Sequence, residues 1–228
     1  MIYVAFDHDD LDKSLELAQI IKHVPCGIKL GMTFFAAHGA AGVRAIHEVA
    51  HQPIFLDMKY HDIPATVGKA IEAVCRLPIA IVNIHASGGT AMMKAAKEAR
   101  DKVNPTVRLI AVTVLTSLED KDREELGWTE SSIQGQVVRW AKLTKEAGLD
   151  GVVCSPQEIK PIRNACGDTF ELITPGVRPQ GADMDDQKRV MTPLEAKNAG
   201  ATHLVIGRPI TKAEEPLKAV RDIISQIS

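Results

Sequence analysis

Cysteines, aromatic side chains and net charge are all scarce in this sequence, and each shortage excludes a class of protein. The chain has 4 cysteines in 228 residues. They are widely spaced and form no C-x-x-C pair, so we expect free thiols in a reducing compartment rather than a cysteine zinc site. Aromatic residues make up 4% and the net charge is −2. We therefore expect no basic, aromatic-rich surface and no nucleic-acid partner.

Long apolar runs are absent as well. No segment approaches the roughly 20 apolar residues that a membrane helix needs. Met1 leads directly into a strand-like run, without a charged leader or cleavage site. We expect no membrane contact and a cytoplasmic protein. No repeat, linker or low-complexity tract interrupts the chain, and 45% hydrophobic content can form a large core. Residues 1–228 are therefore predicted to be a single catalytic domain.

What the sequence does contain is a regular alternation of short apolar runs with helix-like stretches, which is typical of parallel βα units. The predicted strands are 2–6, 27–30, 54–58, 79–85, 107–115, 151–154, 171–174 and 203–206. The predicted helices are 11–21, 42–51, 66–75, 90–102, 133–147, 156–165, 193–199 and 212–227. Eight of each in this length predict an α/β protein with a single (β/α)8 TIM barrel, and a doubly wound open sheet is the main alternative.

One stretch, Asp57 to Thr66, concentrates charge where the third strand ends. Side chains two apart on a strand share a face, so Asp57 and Lys59 should point the same way, and Asp62 follows just past the strand end. Two carboxylates then bracket one ammonium. The alternative is a solvated charge cluster, which most such patterns are.

A barrel places its functional residues at the carboxyl ends of its strands, and polar residues recur at those ends here. They are Asp7, Lys29, Asp57, Lys59, His85, Thr116, Gly176, Arg178, Gly207 and Arg208. Gly207 and Arg208 combine an approachable backbone N–H, a guanidinium and a helix start, which is a competent phosphate site. A surface turn with a salt-bridged Arg208 is the alternative. The long polar segment 175–187 is predicted to be a lid over the phosphate.

One metal motif is present, because His47, Glu48 and His51 form H-E-x-x-H on a predicted helix. We predict no metal site there. The helix stops almost at once at Pro53, no third ligand is apparent, and the segment lies at the end of the barrel opposite the active face.

With these residues assembled, the chain resembles the orotidine 5′-phosphate decarboxylase family along nearly its whole length. The D-x-K-x-x-D-[IV]-P-x-T signature is intact, and further family-like pieces surround it. The signature residues are Asp57, Lys59, Asp62, Ile63, Pro64 and Thr66. The further pieces are Asp7, the run Ile28 to Gly31, the turn Leu115 to Ser117, the run Thr174 to Pro179 with Gln187, and the run Ile206 to Pro209.

The resemblance implies decarboxylation of orotidine 5′-monophosphate to UMP, the last step of de novo pyrimidine synthesis, without metal or organic cofactor. Lys59 would stabilise and then protonate the carbanion, with Asp57 and Asp62 holding its ammonium and Lys29 balancing their charge. It further implies that Asp7 and Lys29 bind ribose, that Thr66 and Thr116 lie near nucleotide or base, and that phosphate is held by Arg178, Gln187, Gly207 and Arg208.

The resemblance also implies a homodimer in which Asp62 serves the partner's site; an Asp62 that folds back or caps the next helix is the alternative. Two other functions stay open. Relatives with the same barrel are Mg²⁺-dependent sugar-phosphate decarboxylases or aldolases, but they have an acidic metal ligand where this chain has Lys29. A noncatalytic nucleotide-binding barrel is disfavoured by the retained Lys59.

Overall fold

The computed structural model describes residues 1–179 and 191–227, and within them the chain has eight β-strands and ten α-helices. The strands are β1 Ile2–Phe6, β2 Gly27–Gly31, β3 Ile54–Tyr60, β4 Ile81–His85, β5 Arg108–Val112, β6 Gly151–Val153, β7 Glu171–Thr174 and β8 His203–Ile206. Each strand pairs in parallel with the next, and β8 pairs with β1, so the sheet closes. The predicted (β/α)8 barrel is confirmed, and the open-sheet alternative is wrong.

The helices surround this barrel. They are α1 Leu11–Ile21, α2 Met32–Ala50, α3 Pro64–Val74, α4 Gly89–Val103, α5 Asp122–Glu125, α6 Ile133–Glu146, α7 Ile159–Cys166, α8 Pro193–Ala199, α9 Arg208–Thr211 and α10 Pro216–Gln226. Several begin at side-chain caps: Asp10 accepts from the Lys13 N–H, and Thr192 forms a capping box with Glu195. None of the helices in the described ranges is long and apolar enough to cross a bilayer.

Side chains alternate between the two faces of each strand, and this alternation builds two cores. The outward face packs against the helices in one large cluster. The inward face fills the barrel with Tyr3, Phe55, Ile81, Ile110 and Ile173, all nearly fully buried. Each such side chain contributes roughly 1.5–3 kcal/mol of burial free energy. This interior plug forms a rigid floor beneath the carboxyl ends of the strands.

Several predicted bounds were wrong, among them the start of β4 at Ile81 rather than at residue 79, and three of the differences have identifiable reasons. Strand β5 ends at Val112 rather than at residue 115, because the chain then leaves the sheet: Val114 is buried outside it and Leu115 is 41% exposed. Helix α2 begins ten residues earlier than predicted, across a break at Gly39, whose φ is 57°. The last helix starts at Pro216 because α9 forms a separate turn first.

The H-E-x-x-H segment lies at the C-terminal end of α2, just before β3 begins, so it is at the end of the barrel opposite the strand carboxyl ends. The rings of His47 and His51 are T-shaped to each other at 5.7 Å, and His51 ends the helix in a left-handed conformation. Across residues 1–179 and 191–227 no three His, Cys, Asp or Glu side chains are grouped so that they could hold a metal ion.

Candidate active site

A cavity of about 240 Å³ opens at the carboxyl ends of the strands. Its floor is apolar and comes from the barrel interior, and its walls are charged. The polar and glycine residues of its lining are Asp7, Lys29, Asp57, Lys59, Thr116, Gly176, Arg178, Gly207 and Arg208. The structure therefore brings together nine of the predicted residues. A larger open groove of about 900 Å³ lies between α6 and α7, and none of these residues lines it.

Four side chains in the cavity form a row of alternating charge. Lys29 Nζ lies 2.9 Å from Asp7 Oδ1 and 3.3 Å from Asp57 Oδ2. Lys59 Nζ lies 2.7 Å from Asp57 Oδ1. Strand register explains the row, because Lys29 pairs with Ala5 on one side and Phe55 on the other, so residues from β1, β2 and β3 converge inside the barrel.

The centre of this row, Lys29 and Asp57, is buried, whereas the Asp7 side chain is 62% exposed. The side chains of Lys29 and Asp57 are only 10% and 13% exposed. Burial by itself lowers the pKa of Lys29, but Asp57 and Asp7 outweigh it and the net pKa lies above its usual value. Burial raises the pKa of Asp57, but the two lysines and hydrogen bonds from Lys59 and Asn83 outweigh it and the net pKa lies below its usual value. Both groups are therefore charged near neutral pH.

Asp57 and Lys59 share a face as predicted, but the strand between them is irregular. Lys59 has a φ of 53°, in the left-handed region that a lysine rarely adopts. The pairing of β3 with β4 shifts register between Leu56 and Tyr60, which marks a bulge. Bulges re-aim side chains next to active sites, and here the bulge directs Lys59 into the cavity.

Sequence reasoning missed Asn83 on β4, which is fully buried behind the charged row. Its Nδ2 donates to Asp57 Oδ1 at 2.7 Å, and its Oδ1 accepts the backbone N–H of Lys59 at 2.7 Å. The available signal was a single amide in an otherwise apolar strand, on the same face as Ile81. A buried amide without local partners must find them across the sheet.

The structure does not bring Asp62 and Thr66 into the cavity of their own chain. Both are exposed, and neither lines the cavity. Asp62 Oδ1 accepts the backbone N–H of Ile63 at 2.6 Å, and Ile63 is itself 66% exposed. Helix α3 starts with Pro64, and its cap residue makes no side-chain cap bond, so Asp62 is not a conventional helix cap.

At the opposite wall, the loops after β7 and β8 supply the arginines. Arg178 is 7% exposed, its Nη1 donates to the Val177 carbonyl, and Val177 forms a bridge with Met191. Gly176 has a φ of 75°, which a glycine adopts without strain. Of the predicted lid, only residues 175–179 are described; Gln187 lies outside the described residues.

A histidine pair borders Lys59 at the rim. The rings of His61 and His85 are 5.5 Å apart. Burial, followed by the charges of His61 and Lys59, lowers the pKa of His85 to about 4. His85 is therefore neutral near pH 7, and it adds no positive charge to the site.

Comparison with known proteins places these residues in context. The family model described as "Orotidine 5'-phosphate decarboxylase / HUMPS family" matches residues 1–223. A protein of Haemophilus ducreyi named orotidine 5'-phosphate decarboxylase is 46% identical over 228 residues, covering 100% of this chain and 98% of that one. One of the same name from Moorella thermoacetica is 48% identical over 232 residues, covering 99% and 91%. A crystal structure of this name from Lactobacillus acidophilus superposes with a TM-score of 0.88 at 34% identity, covering 100% and 98%.

Proposed function

Because this chain belongs to the orotidine 5′-phosphate decarboxylase / HUMPS family, its reaction is the decarboxylation of orotidine 5′-monophosphate to UMP, and we propose that Lys59 performs the proton transfer. This is the last step of pyrimidine nucleotide synthesis. The observation that carries the assignment of Lys59 is its ammonium, 2.7 Å from a buried carboxylate and aimed into the cavity.

The chemistry asks for a fixed positive charge beside C6 of the pyrimidine. When the bond from C6 to the carboxylate breaks, carbon dioxide leaves and the electron pair stays on C6, where it is little delocalised. A preorganised ammonium stabilises that charge as it develops. Lys59 Nζ then gives a proton to C6, and solvent protonates the resulting amine. One group thus performs both steps.

Asp57 and Lys29 hold this ammonium in place. Asp57 contacts Lys59 through Oδ1 and Lys29 through Oδ2, so each oxygen faces one cation. Lys29 compensates the negative charge that Asp57 brings beside the substrate carboxylate. In this proposal both are catalytic residues together with Lys59 and Asp62.

The remaining cavity residues bind the nucleotide. Asp7 and Lys29 are assigned to the ribose hydroxyls and Thr116 to the base, because each lines the cavity. The phosphate is assigned to the wall formed by Arg178, Gly207 and Arg208. A guanidinium can donate two parallel hydrogen bonds to a phosphate. The family resemblance adds Gln187 to the phosphate and Thr66 to the nucleotide.

Asp62 and Thr66 are assigned to the cavity of a partner subunit. Both are exposed and lie outside their own cavity: Asp62 is in the turn after β3, next to the exposed Ile63, and Thr66 is in the first turn of α3. In a two-fold dimer each subunit would supply this segment to the other site. The proposed active unit is therefore a homodimer.

The proposal takes residues 1–228 as one catalytic domain, in the cytoplasm, acting without a metal ion. Four buried free cysteines agree with a reducing compartment. The ammonium of Lys29 occupies the second-strand position at which the Mg²⁺-dependent relatives have an acidic ligand, and it repels a cation.

A spectrophotometric assay with orotidine 5′-monophosphate, with and without EDTA, tests the proposal. We expect turnover that EDTA leaves unchanged. Loss of activity in EDTA with recovery in Mg²⁺ would instead favour a metal-dependent relative. Absence of turnover alongside tight UMP binding would identify a noncatalytic nucleotide-binding barrel.

A further inference from the structure

Asn83 contacts both residues of the Asp57–Lys59 pair, through the carboxylate of Asp57 and the backbone N–H of Lys59, and it does not line the cavity itself. It lies on β4, one residue beyond the paired Leu56 and Val82, which places it beside Asp57 across the sheet. Its side chain is 0% exposed. Asn83 Nδ2 donates to Asp57 Oδ1 and Asn83 Oδ1 accepts from the Lys59 N–H, each at 2.7 Å.

The contact to the Lys59 backbone bears on an unusual conformation. A lysine is disfavoured at a φ of 53°, so the surrounding structure must hold it there. The bulge shifts the register between β3 and β4 at this point. The side-chain Oδ1 of Asn83 accepts a hydrogen bond from the backbone N–H of Lys59 within the bulge, and this bond ties the left-handed residue to β4.

The contact to Asp57 bears on the orientation of its carboxylate. Oδ1 of Asp57 accepts from Lys59 Nζ and from Asn83 Nδ2, both at 2.7 Å. Two donors on one oxygen fix the plane of the carboxylate, and this plane aims the Lys59 ammonium. An amide offers one donor and one acceptor at these positions, whereas leucine has neither and an ionised aspartate has no donor.

We propose that Asn83 is a positioning residue for decarboxylation, which acts by holding the Lys59 backbone and the Asp57 carboxylate in one geometry. This inference rests on the proposed roles of Lys59 and Asp57. Displacement of a reacting group by about 1 Å can cost about 100-fold in rate, so a group that prevents such displacement has a measurable kinetic effect.

The first test compares Asn83→Leu with a matched control, Thr113→Val. Thr113 is also a buried polar residue at a strand end, 2% exposed, and its hydroxyl donates to the Val153 carbonyl at 2.9 Å without touching the charged row. We expect Asn83→Leu to lower kcat about 10- to 100-fold while the Kd for UMP changes less than about threefold. Thr113→Val should lower Tm by about as much as Asn83→Leu does, but its kcat should stay near that of the wild type. Equal kcat losses in the two variants would overturn the inference.

The second test uses Asn83→Asp and remains informative if Asn83→Leu fails to fold. The introduced carboxyl would face Asp57 and Lys59 on β3, and these two residues in turn interact electrostatically with Lys29 on β2 and His85 on β4. When it is protonated, it donates to Asp57 and accepts from the Lys59 N–H as the amide does; when it is ionised, Asp57 repels it. Two adjacent carboxyl groups keep one shared proton at pH values well above the usual pKa of an aspartate, because their negative charges repel each other.

We therefore expect kcat of Asn83→Asp, divided by the wild-type value at each pH, to rise about tenfold as the pH falls from about 8 to about 5.5. The same ratio for Thr113→Val should stay flat. A flat ratio for Asn83→Asp overturns the inference. A wild-type enzyme that does not turn over orotidine 5′-monophosphate contradicts the proposed function instead, so the two failures are distinguishable.

Discussion

The Lys59 ammonium lies 2.7 Å from Oδ1 of Asp57, two residues earlier on the same strand. The pair is thus formed by one strand of one chain. Asp62, only three residues after Lys59, is exposed outside the same cavity. The signature therefore divides into a part that lines the chain's own cavity and a part that is exposed outside it, and each part can be tested separately.

Replacing Lys59 by alanine should abolish turnover far more than it weakens nucleotide binding. An interaction made mainly in the transition state is lost from kcat, and we expect a fall of at least about 1000-fold, or about 4 kcal/mol. The measurements are kcat and the Kd for UMP. Lys218→Ala, at an exposed site on α10, is the control. Retention of more than about a tenth of wild-type kcat would contradict the proton-donor role.

Replacing Arg208 by alanine should damage reaction of the phosphorylated substrate selectively. A remote phosphate supplies binding energy that is used at the reacting carbon, so kcat/KM for orotidine 5′-monophosphate should fall about 100-fold or more. The value for the nucleoside without phosphate should change little. Arg221→Ala on α10 is the control, since that side chain is exposed. Equal losses on both substrates would mean that Arg208 supports the fold or the chemistry rather than the phosphate.

Mixing two inactive variants should restore activity if Asp62 serves the partner's site. Lys59→Ala and Asp62→Ala are dissociated together and allowed to reassociate. A mixed dimer then has both lesions in one site and none in the other, so random pairing restores about a quarter of wild-type sites. The measurement is activity before and after mixing, with subunit exchange followed by mass spectrometry. Confirmed exchange without recovered activity rules out the shared site.

Stability should fall as the solution becomes acidic, because the pKa of His85 is lowered to about 4 in the folded chain. When the pH falls below about 6.5, the ordinary pKa of histidine, this side chain becomes protonated in the unfolded chain but stays neutral in the folded chain. Acid therefore favours the unfolded chain. Between about pH 7 and about pH 5 this group should remove about 2 kcal/mol from the free energy of unfolding.

Denaturant titrations at the two pH values measure this effect. In His85→Gln the free energy of unfolding should fall by about 2 kcal/mol less between about pH 7 and about pH 5 than in the wild type. His23→Gln, at an exposed loop position, should show the wild-type pH dependence. An unchanged pH dependence in His85→Gln would show that other groups cause the acid sensitivity.

The sequence was sufficient to predict the barrel and most of its cavity, because both depend on local patterns. Apolar runs end at polar residues, and strand carboxyl ends in a parallel barrel all meet at one rim. The predicted bounds of β1, β7 and β8 agree with the structure. Strand β5 was extended too far, since the hydrophobic pattern does not distinguish a strand residue from a loop residue such as Val114 that is buried outside the sheet.

The interior partners of the site could not be predicted in the same way. A lone amide in a largely apolar strand indicates that partners are needed but not which residues they are, and the partners of Asn83 are on another strand. The left-handed backbone of Lys59 has no local signal either, because no glycine or asparagine marks it. The positions of Asp62 and Thr66 outside their own cavity follow from the path of the chain from β3 into α3, which residue spacing does not determine.

The alternating row in the cavity has a consequence for how substrate is captured. Two lysines and two aspartates sum to zero charge, so the row exerts little long-range attraction on an anionic nucleotide. Encounter is then favoured by the positive charge of Arg178 and Arg208, which line the same cavity. Screening shortens the reach of such charges to about 8 Å at physiological ionic strength, whereas the contact between the buried Lys29 and Asp57 is screened far less. Added salt should therefore slow association of the nucleotide and leave the decarboxylation of bound substrate nearly unchanged.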